Sequence, residues 1–310
     1  MVEISVVVPV YGCRDSLRAL HERLTAALRP LTPSYEIVLV DDCDRQGSWE
    51  VMAELARRDR AVKAFRLSRN FGQHAAITAG LAQCSGRWAV VMDCDLQDPP
   101  ELIGELYRAA QAGSDVVLAR RRRKRHSLFR RLAARAYFRL LRVLSLARLD
   151  GEFGTFSIIS RKVIDAFLRF HDQDRHYLFI LNWLGFRTAT IEYEHAERHS
   201  GGSSYTLSAL VRHALGGLFF QTTVLLRWIV YFGFWLSCAG FLLALYYVYM
   251  YFAHSVYPGF TSIAVLILLI GGFIIMSTGV TGLYIGKVFD QVKGRPLYVI
   301  DESIVDRGER

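Results

Sequence analysis

The chain has no Cys-x-x-Cys pair. Its five cysteines (Cys13, Cys43, Cys84, Cys94 and Cys238) are scattered. That excludes zinc-site spacing, gives no sign of a disulfide framework, and fits a reducing compartment. No basic region precedes the first apolar run, because Met1-Val2-Glu3-Ile4 leads straight into strand-like residues. A signal peptide is therefore not expected. No His-Glu-x-x-His zinc motif is present. His195 and His199 stand four apart, but Glu197 between them is misplaced for that chemistry. Acidic residues are outnumbered, 29 against 38 basic, for a net charge of +9. The excess favours an anionic partner such as a phosphorylated substrate, a nucleic acid or an anionic membrane face.

Charge is also missing from two long runs near the end. Ile229–Phe252 and Gly259–Gly286 each carry no formal charge. Both exceed the about 20 apolar residues that cross a hydrocarbon core. The link between them, Ala253–Pro258, holds no Lys or Arg. Arg212 and Arg227 precede the first run, and Lys287, Lys293 and Arg295 follow the second. The positive-inside rule then puts both termini on the cytoplasmic face of a plasma (inner) membrane, with a short loop outside. Trp228, Tyr231, Tyr249, Tyr251 and Tyr257 suit interfacial belts. A buried helical hairpin is the competing reading, disfavoured by run length.

What is present ahead of these runs alternates between strand and helix patterns. Strands are expected at Ile4–Pro9, Glu36–Val40, Ala64–Leu67, Trp88–Met92 and Asp115–Leu118. Helices are expected at Asp15–Leu28, Trp49–Arg57, Gln73–Gln83 and Pro100–Ala112. This is the pattern of an α/β fold with a mostly parallel sheet and helices on both faces. Ligands in such sheets bind beyond the carboxyl ends of the strands. Two acidic pairs fall there, Asp41-Asp42 and Asp93-Cys94-Asp95. In the second pair the i, i+2 spacing aims both carboxylates to one side. Hard oxygen ligands at a strand end suit Mg²⁺ or Mn²⁺ carrying a phosphate. An isolated Asp-x-Asp is common by chance, so the convergence of the two pairs carries the inference.

The basic residues allow several readings. Arg120–Arg125 is an unbroken cationic run that includes Lys124. It is a solvated loop, or it meets phosphate or anionic lipid. No nucleic-acid motif or aromatic platform accompanies it. His126–Arg148 reads as a helix, with Arg131, Arg135, Arg139 and Arg142 on one face, suited to a membrane interface. Arg69–His74 precedes a helix and either faces a phosphate or forms a plain turn. Arg198–Tyr205 is small, flexible and basic, a lid or a linker. Arg227 either snorkels to the interface or binds a lipid phosphate. These divisions suggest a catalytic domain over 1–205 and a juxtamembrane amphipathic segment over 206–227. A membrane hairpin over 228–286 and a cytoplasmic tail over 287–310 would follow.

Ordered along the chain, certain stretches resemble the family-2 glycosyltransferases of GT-A fold. The polyprenyl-phosphate glycosyltransferases, such as dolichyl-phosphate mannose synthase and the bactoprenol glucosyltransferases, are the nearer likeness. The stretches are Val6–Tyr11, Glu36–Asp42, Ser68–His74, Asp93–Glu101, Asn182–Phe186, Arg198–Tyr205, Tyr284–Lys287 and Val292–Tyr298. The resemblance implies that Pro9, Tyr11, Asp41, Asp42 and Asp93 hold a UDP- or GDP-linked sugar. It implies that Asp93, Asp95 and Gln97 organise Mg²⁺ or Mn²⁺, and that Asp95, Arg121 and Arg198 serve catalysis. Arg120, Ser203, Tyr205 and Arg227 would meet the acceptor or close over it. A homo-oligomer, such as a tetramer, is implied too, and nucleic acid is not a partner.

Three departures bear on this. Gly12, Cys13 and Arg14 stand where such enzymes commonly carry Asn and acidic residues. Ser204 replaces a common Lys. Thr155 occupies the position of an acidic residue proposed as a base. A phosphate monoester has a second pKa of about 6, so an acceptor phosphate is already charged near neutrality and needs no base. A sugar hydroxyl would need one. The expectation is inverting transfer of a sugar from a nucleotide sugar to a polyprenyl phosphate. The alternatives are another lipid or glycan acceptor, or a non-catalytic membrane scaffold with a degenerate transferase fold. A Gln-x-x-Arg-Trp motif of processive polymer synthases is absent.

Overall fold

A computed structural model describes residues 2–121, 153–173, 175–193, 224–254 and 259–305. They divide into two compact units, one holding the described residues up to 193 and from 295 onward, the other 224–294.

The first unit is built on one sheet. Its strands are β1 (Ile4–Val10), β2 (Tyr35–Asp41), β3 (Val62–Leu67) and β4 (Trp88–Val91). They are followed by β5 (Val116–Arg121), β6 (Phe153–Ser160), β7 (Thr188–Tyr193) and β8 (Ile300–Ile304). The order is β7-β5-β6-β4-β1-β2-β3-β8. β1 pairs in parallel with β2 and β4, β2 with β3, and β5 with β7. β6 runs antiparallel to both β4 and β5, and β8 antiparallel to β3. The central strands are fully buried, which explains why they read as unbroken apolar runs.

Alternation along β1 divides the core in two. Val6 and Val8 join one cluster with α1 (Leu17–Leu28), α2 (Ser48–Arg58) and α4 (Ile103–Gln111). Val7 faces the other, with α3 (Gln73–Gln83), α5 (Arg161–Leu168) and α6 (Tyr177–Leu184). On α1, Leu17, Leu20, Leu24 and Leu28 recur at helical spacing and are all buried. Each contributes about 2 kcal/mol of burial. α4 begins later than the sequence suggests, because Pro100–Leu102 forms a 3₁₀ turn.

β6, α5, α6, β7 and β8 have no counterpart in the sequence-based expectations. β8 returns to the sheet edge after the apolar segment, and Arg66 pairs with its Glu302 at 3.1 Å. The expected helix His126–Arg148 lies outside the described residues.

The second unit holds two long helices, α7 (Val224–His254) and α8 (Phe260–Val292), of 31 and 33 residues. Phe232 and Phe273 meet between them at 5.1 Å. Within α8, Ile270–Val292 is long and apolar enough to cross a membrane. The described apolar stretch of α7 is the shorter Trp228–Leu243. The long uncharged runs thus form helices, and one of them meets the length of a span among the described residues.

Candidate active site

The chain turns sharply as it leaves β4. Leu96 sits at a positive φ of 62°, an unusual conformation for a bulky residue and one stored where surrounding packing enforces it. Its side chain is buried, 6% exposed. The turn lets the Gln97 amide donate to Asp95 Oδ1 at 3.1 Å. It also carries Asp98 inward, where it is fully buried.

Asp93 is held from two sides. Gln73, the first residue of α3, donates through Nε2 to Asp93 Oδ1 at 2.7 Å. Thr155 on β6 donates through Oγ1 to the same oxygen at 2.9 Å. Burial pushes the Asp93 pKa up to about 6, with the neighbouring Asp98 adding to the rise and Thr155 opposing it. Arg121 ends β5 and lies opposite Tyr193 of β7 in the parallel register. Its Nε donates to Tyr193 Oη at 3.1 Å, and its Nη2 lies 3.4 Å from Asp98 Oδ1. Asp93, Asp95, Asp98, Thr155, Gln73 and Arg121 therefore occupy one rim, drawn from β4, β5, β6 and α3.

Beside Asp95 opens a cavity of about 230 Å³, lined also by Gly12, Cys13, Arg14 and Gln46. The structure joins Cys13 to Cys94 by a disulfide across 81 residues. This corrects the expectation of no disulfide framework: pairing is a property of space, and linear spacing does not disclose it. The bond ties the loop after β1 to the acidic turn, and Ser16 reinforces it by donating to the Cys94 carbonyl at 2.7 Å. Closing a loop of this length removes about 4 kcal/mol of unfolded-chain entropy. Reductant should lower the thermal midpoint of the wild type and leave Cys13→Ser unaffected. Equal midpoints for the wild type with and without reductant would contradict the pairing.

Other expected residues are placed differently. Asp41 is fully buried; it accepts from the Asp44 amide at 2.9 Å and lies 3.4 Å from Arg66 Nε. Burial pushes its pKa up to about 6. Asp42 accepts from the Phe71 and Gly72 amides at 2.7 and 2.9 Å, so it anchors the loop before α3. Pro9 is buried within β1, whereas Tyr11 is exposed. Arg120 points away from Arg121, to Glu192 at 3.5 Å and over the Phe153 ring. Lys124, Arg198, Ser203 and Tyr205 lie outside the described residues, as does the side chain of Arg227. Sequence reasoning did not single out Gln73, Asp98 or Tyr193 as site residues. Gln73 and Asp98 did stand within the quoted motifs, but Tyr193 carried no signal.

The donor types suit a hard divalent ion: two carboxylates and the side-chain carbonyl oxygen of Gln97, all oxygen. Among the described residues no group of three or more His, Cys, Asp or Glu side chains is arranged to hold a metal. Oxygens of a bound phosphate would then complete the shell, a common arrangement for Mg²⁺. A carboxylate binds a metal ion only when ionised, so with Asp93 as a ligand the affinity would weaken as pH falls through about 6, the Asp93 value. Between pH 7 and pH 5 the ionised fraction falls about tenfold. Calorimetric Mn²⁺ affinity should fall by about that factor, and a flat profile would contradict the assignment of Asp93.

Comparison with known proteins decides the family. Residues 5–168 match the model described as "Glycosyl transferase family 2". The chain belongs to this family. It is a glycosyltransferase, and its mostly parallel α/β sheet is of the GT-A kind. It is 33% identical over 304 residues to "Uncharacterized glycosyltransferase YkcC" of Bacillus subtilis, covering 97% of this chain and 94% of that one. It is 35% identical over 309 residues to the "Undecaprenyl-phosphate 4-deoxy-4-formamido-L-arabinose transferase" of Proteus mirabilis, at 97% and 94% coverage. Among solved structures, mannosyl-3-phosphoglycerate synthase from Rubrobacter xylanophilus aligns with a TM-score of 0.48. It is 18% identical and covers 69% of this chain and 70% of that one.

Proposed function

We propose that this glycosyltransferase moves a sugar from a UDP- or GDP-linked donor to a polyprenyl phosphate of undecaprenyl type, at the cytoplasmic face of a plasma membrane, for use in envelope glycan or lipid modification. The observation that carries the reading is Thr155. A hydroxyl bonded to Asp93 stands where a base could act, and a hydroxyl cannot deprotonate an alcohol acceptor. A phosphate acceptor needs no such group. The name of the Proteus relative, which matches nearly end to end, supports the same acceptor class.

In the proposed step an acceptor phosphate oxygen bonds to the anomeric carbon as that carbon's bond to the donor diphosphate breaks. The diphosphate leaves with the electron pair, and configuration inverts. Asp93, Asp95 and Gln97 would hold Mg²⁺ or Mn²⁺, which supplies Lewis-acid neutralisation of the leaving group when bound. Arg121 offers a preorganised positive charge to the phosphates. Tyr11, exposed near the β1 rim, and the cavity at Arg14 and Gln46 provide room for the nucleotide. The apolar helix Ile270–Val292 supports delivery of the site to the bilayer, and the flanking Lys and Arg favour a two-span topology with both ends cytoplasmic. The test is incubation of the purified protein with a polyprenyl phosphate and a panel of UDP-, GDP- and dTDP-sugars. Lipid-linked product from one donor class supports the reading, and no product from any donor overturns it.

A further inference from the structure

Arg121 is held more tightly than a phosphate-binding arginine at a strand end requires. Its Nε donates to Tyr193 Oη, and Nη2 approaches Asp98 Oδ1. The Tyr193 hydroxyl in turn donates to Asp98 Oδ1. The phenol therefore faces both ways, giving its proton to the carboxylate and its lone pair to the guanidinium. Asp98 is fully buried, and Tyr193 is 6% exposed, with the Phe156 ring edge-on against it at 5.9 Å. Neither can shift without disturbing the core. The third side of the seat is a missing side chain. A Cβ on Gly154 would lie 2.9 Å from Arg121 Nη2 and 3.2 Å from its Cζ. The guanidinium thus rests on the bare backbone of β6, one residue before Thr155. Its side chain keeps 34% exposure, so part of a five-donor fork remains open to an anion.

We propose that Tyr193, Asp98 and Gly154 are positioning residues for transfer, forming a seat that fixes the Arg121 guanidinium beside the acidic turn. This rests on the proposed role of Arg121 toward phosphate. A free arginine samples many rotamers and would close onto the carboxylates around it, Asp93 among them, competing with the divalent ion. A seated planar fork loses little further entropy when it meets phosphate. The two arginines at the end of β5 are thereby divided in role, Arg120 outward to Glu192 and Arg121 inward to the seat.

Gly154→Ala is the informative variant, because the three nearest contacts of its methyl are all at the far end of the flexible Arg121 side chain, and it leaves every charge in place. Tyr193→Phe keeps the ring and removes the hydroxyl. Each should lower kcat about tenfold or more, the scale for a hydrogen bond to a charged group, with donor KM within about twofold; the thermal midpoint should hold in Gly154→Ala and fall in Tyr193→Phe, which takes a donor from the buried Asp98 carboxylate. In an Arg121→Ala background, Gly154→Ala should cause no further loss, because its effect passes through Arg121. A twofold or smaller effect of both single variants overturns the proposal. So does an equal loss from Gly154→Ala with and without Arg121, which would mark a general structural role. The seat is also read without turnover. The Arg121 Nε–H resonance, assigned by its disappearance in Arg121→Ala, should be protected from solvent exchange in the wild type and exposed in Tyr193→Phe. If wild-type protein forms no lipid-linked sugar but this protection holds, the function is wrong and the seat stands. If product forms and the proton exchanges freely in both proteins, the seat is wrong and the function stands.

Discussion

Asp95→Ala should reduce sugar transfer by at least about a thousandfold, on the scale of removing a principal electrostatic stabiliser of the leaving group. The structure makes this a clean loss of chemistry. Asp95 lies outside both core clusters, is partly exposed, and lines the cavity beside the loop after β1. It accepts from the Gln97 amide in the turn, a bond whose loss costs about 1 kcal/mol. Recovery in the membrane fraction should match the wild type while turnover vanishes. Near-normal turnover would remove Asp95 from the site. Asp93→Ala is a less clean probe, because it also strands the donors on Gln73 and Thr155.

Gly86→Ala should be among the most damaging single methyl additions at the described glycines of the first unit. A Cβ there would lie 2.7 Å from the Ser5 amide nitrogen and 2.8 Å from the Trp88 carbonyl oxygen, both backbone atoms of central strands. It would also strike Ser5 Oγ at 2.5 Å. That hydroxyl accepts from the Gly86 amide and donates to Glu36 Oε1 at 2.6 Å. Glu36 is buried and further held by Ser85 and by Lys63 at 2.6 Å. Burial alone would raise the Glu36 pKa, but these donors, Lys63 foremost, bring it below its ordinary value. The methyl therefore overpacks the sheet and disrupts a buried charged network at once. Each effect costs roughly 1–3 kcal/mol, so a loss of about 3 kcal/mol or more is expected, lowering the thermal midpoint by roughly 6–12 °C. Gly104→Ala is the control. Its Cβ would meet only Leu31 at 3.4 Å in α4, and the change should be neutral or stabilise by a few tenths of a kcal/mol. Similar midpoints for Gly86→Ala and the wild type would contradict the packing.

The central sheet was readable because its strands are buried on both faces. Val6–Val8, Ile37–Val40 and Val90–Val91 form apolar runs, and the last two lead into acidic residues at their carboxyl ends. The antiparallel strand β6 was not readable: Phe153-Gly154-Thr155-Phe156-Ser157 mixes small, polar and aromatic residues, and its place between β4 and β5 is set by long-range pairing. β8 escaped for a related reason, since its charged residues suit an exposed sheet edge.

The same division runs through the site. The rim positions of Asp93, Asp95 and Arg121 were legible from local motif and family likeness, while the roles given to them and to Gln97 belong to the proposal. Thr155 was visible as a missing acid, but its bond to Asp93 spans 62 residues and needed coordinates. Asp41 and Asp42 sit at the expected rim, yet their carboxylates face amides of their own chain. Strand ends place residues reliably; which way a side chain turns there depends on donors that arrive from elsewhere.

The most direct test compares two acceptors that differ only in their head group. The purified protein, with one nucleotide-sugar donor and Mn²⁺, is offered a polyprenyl phosphate or the matching polyprenol. Thr155 in place of an acid predicts sugar on the phosphate alone, in inverted configuration at the anomeric carbon. Equal transfer to the alcohol would contradict the account.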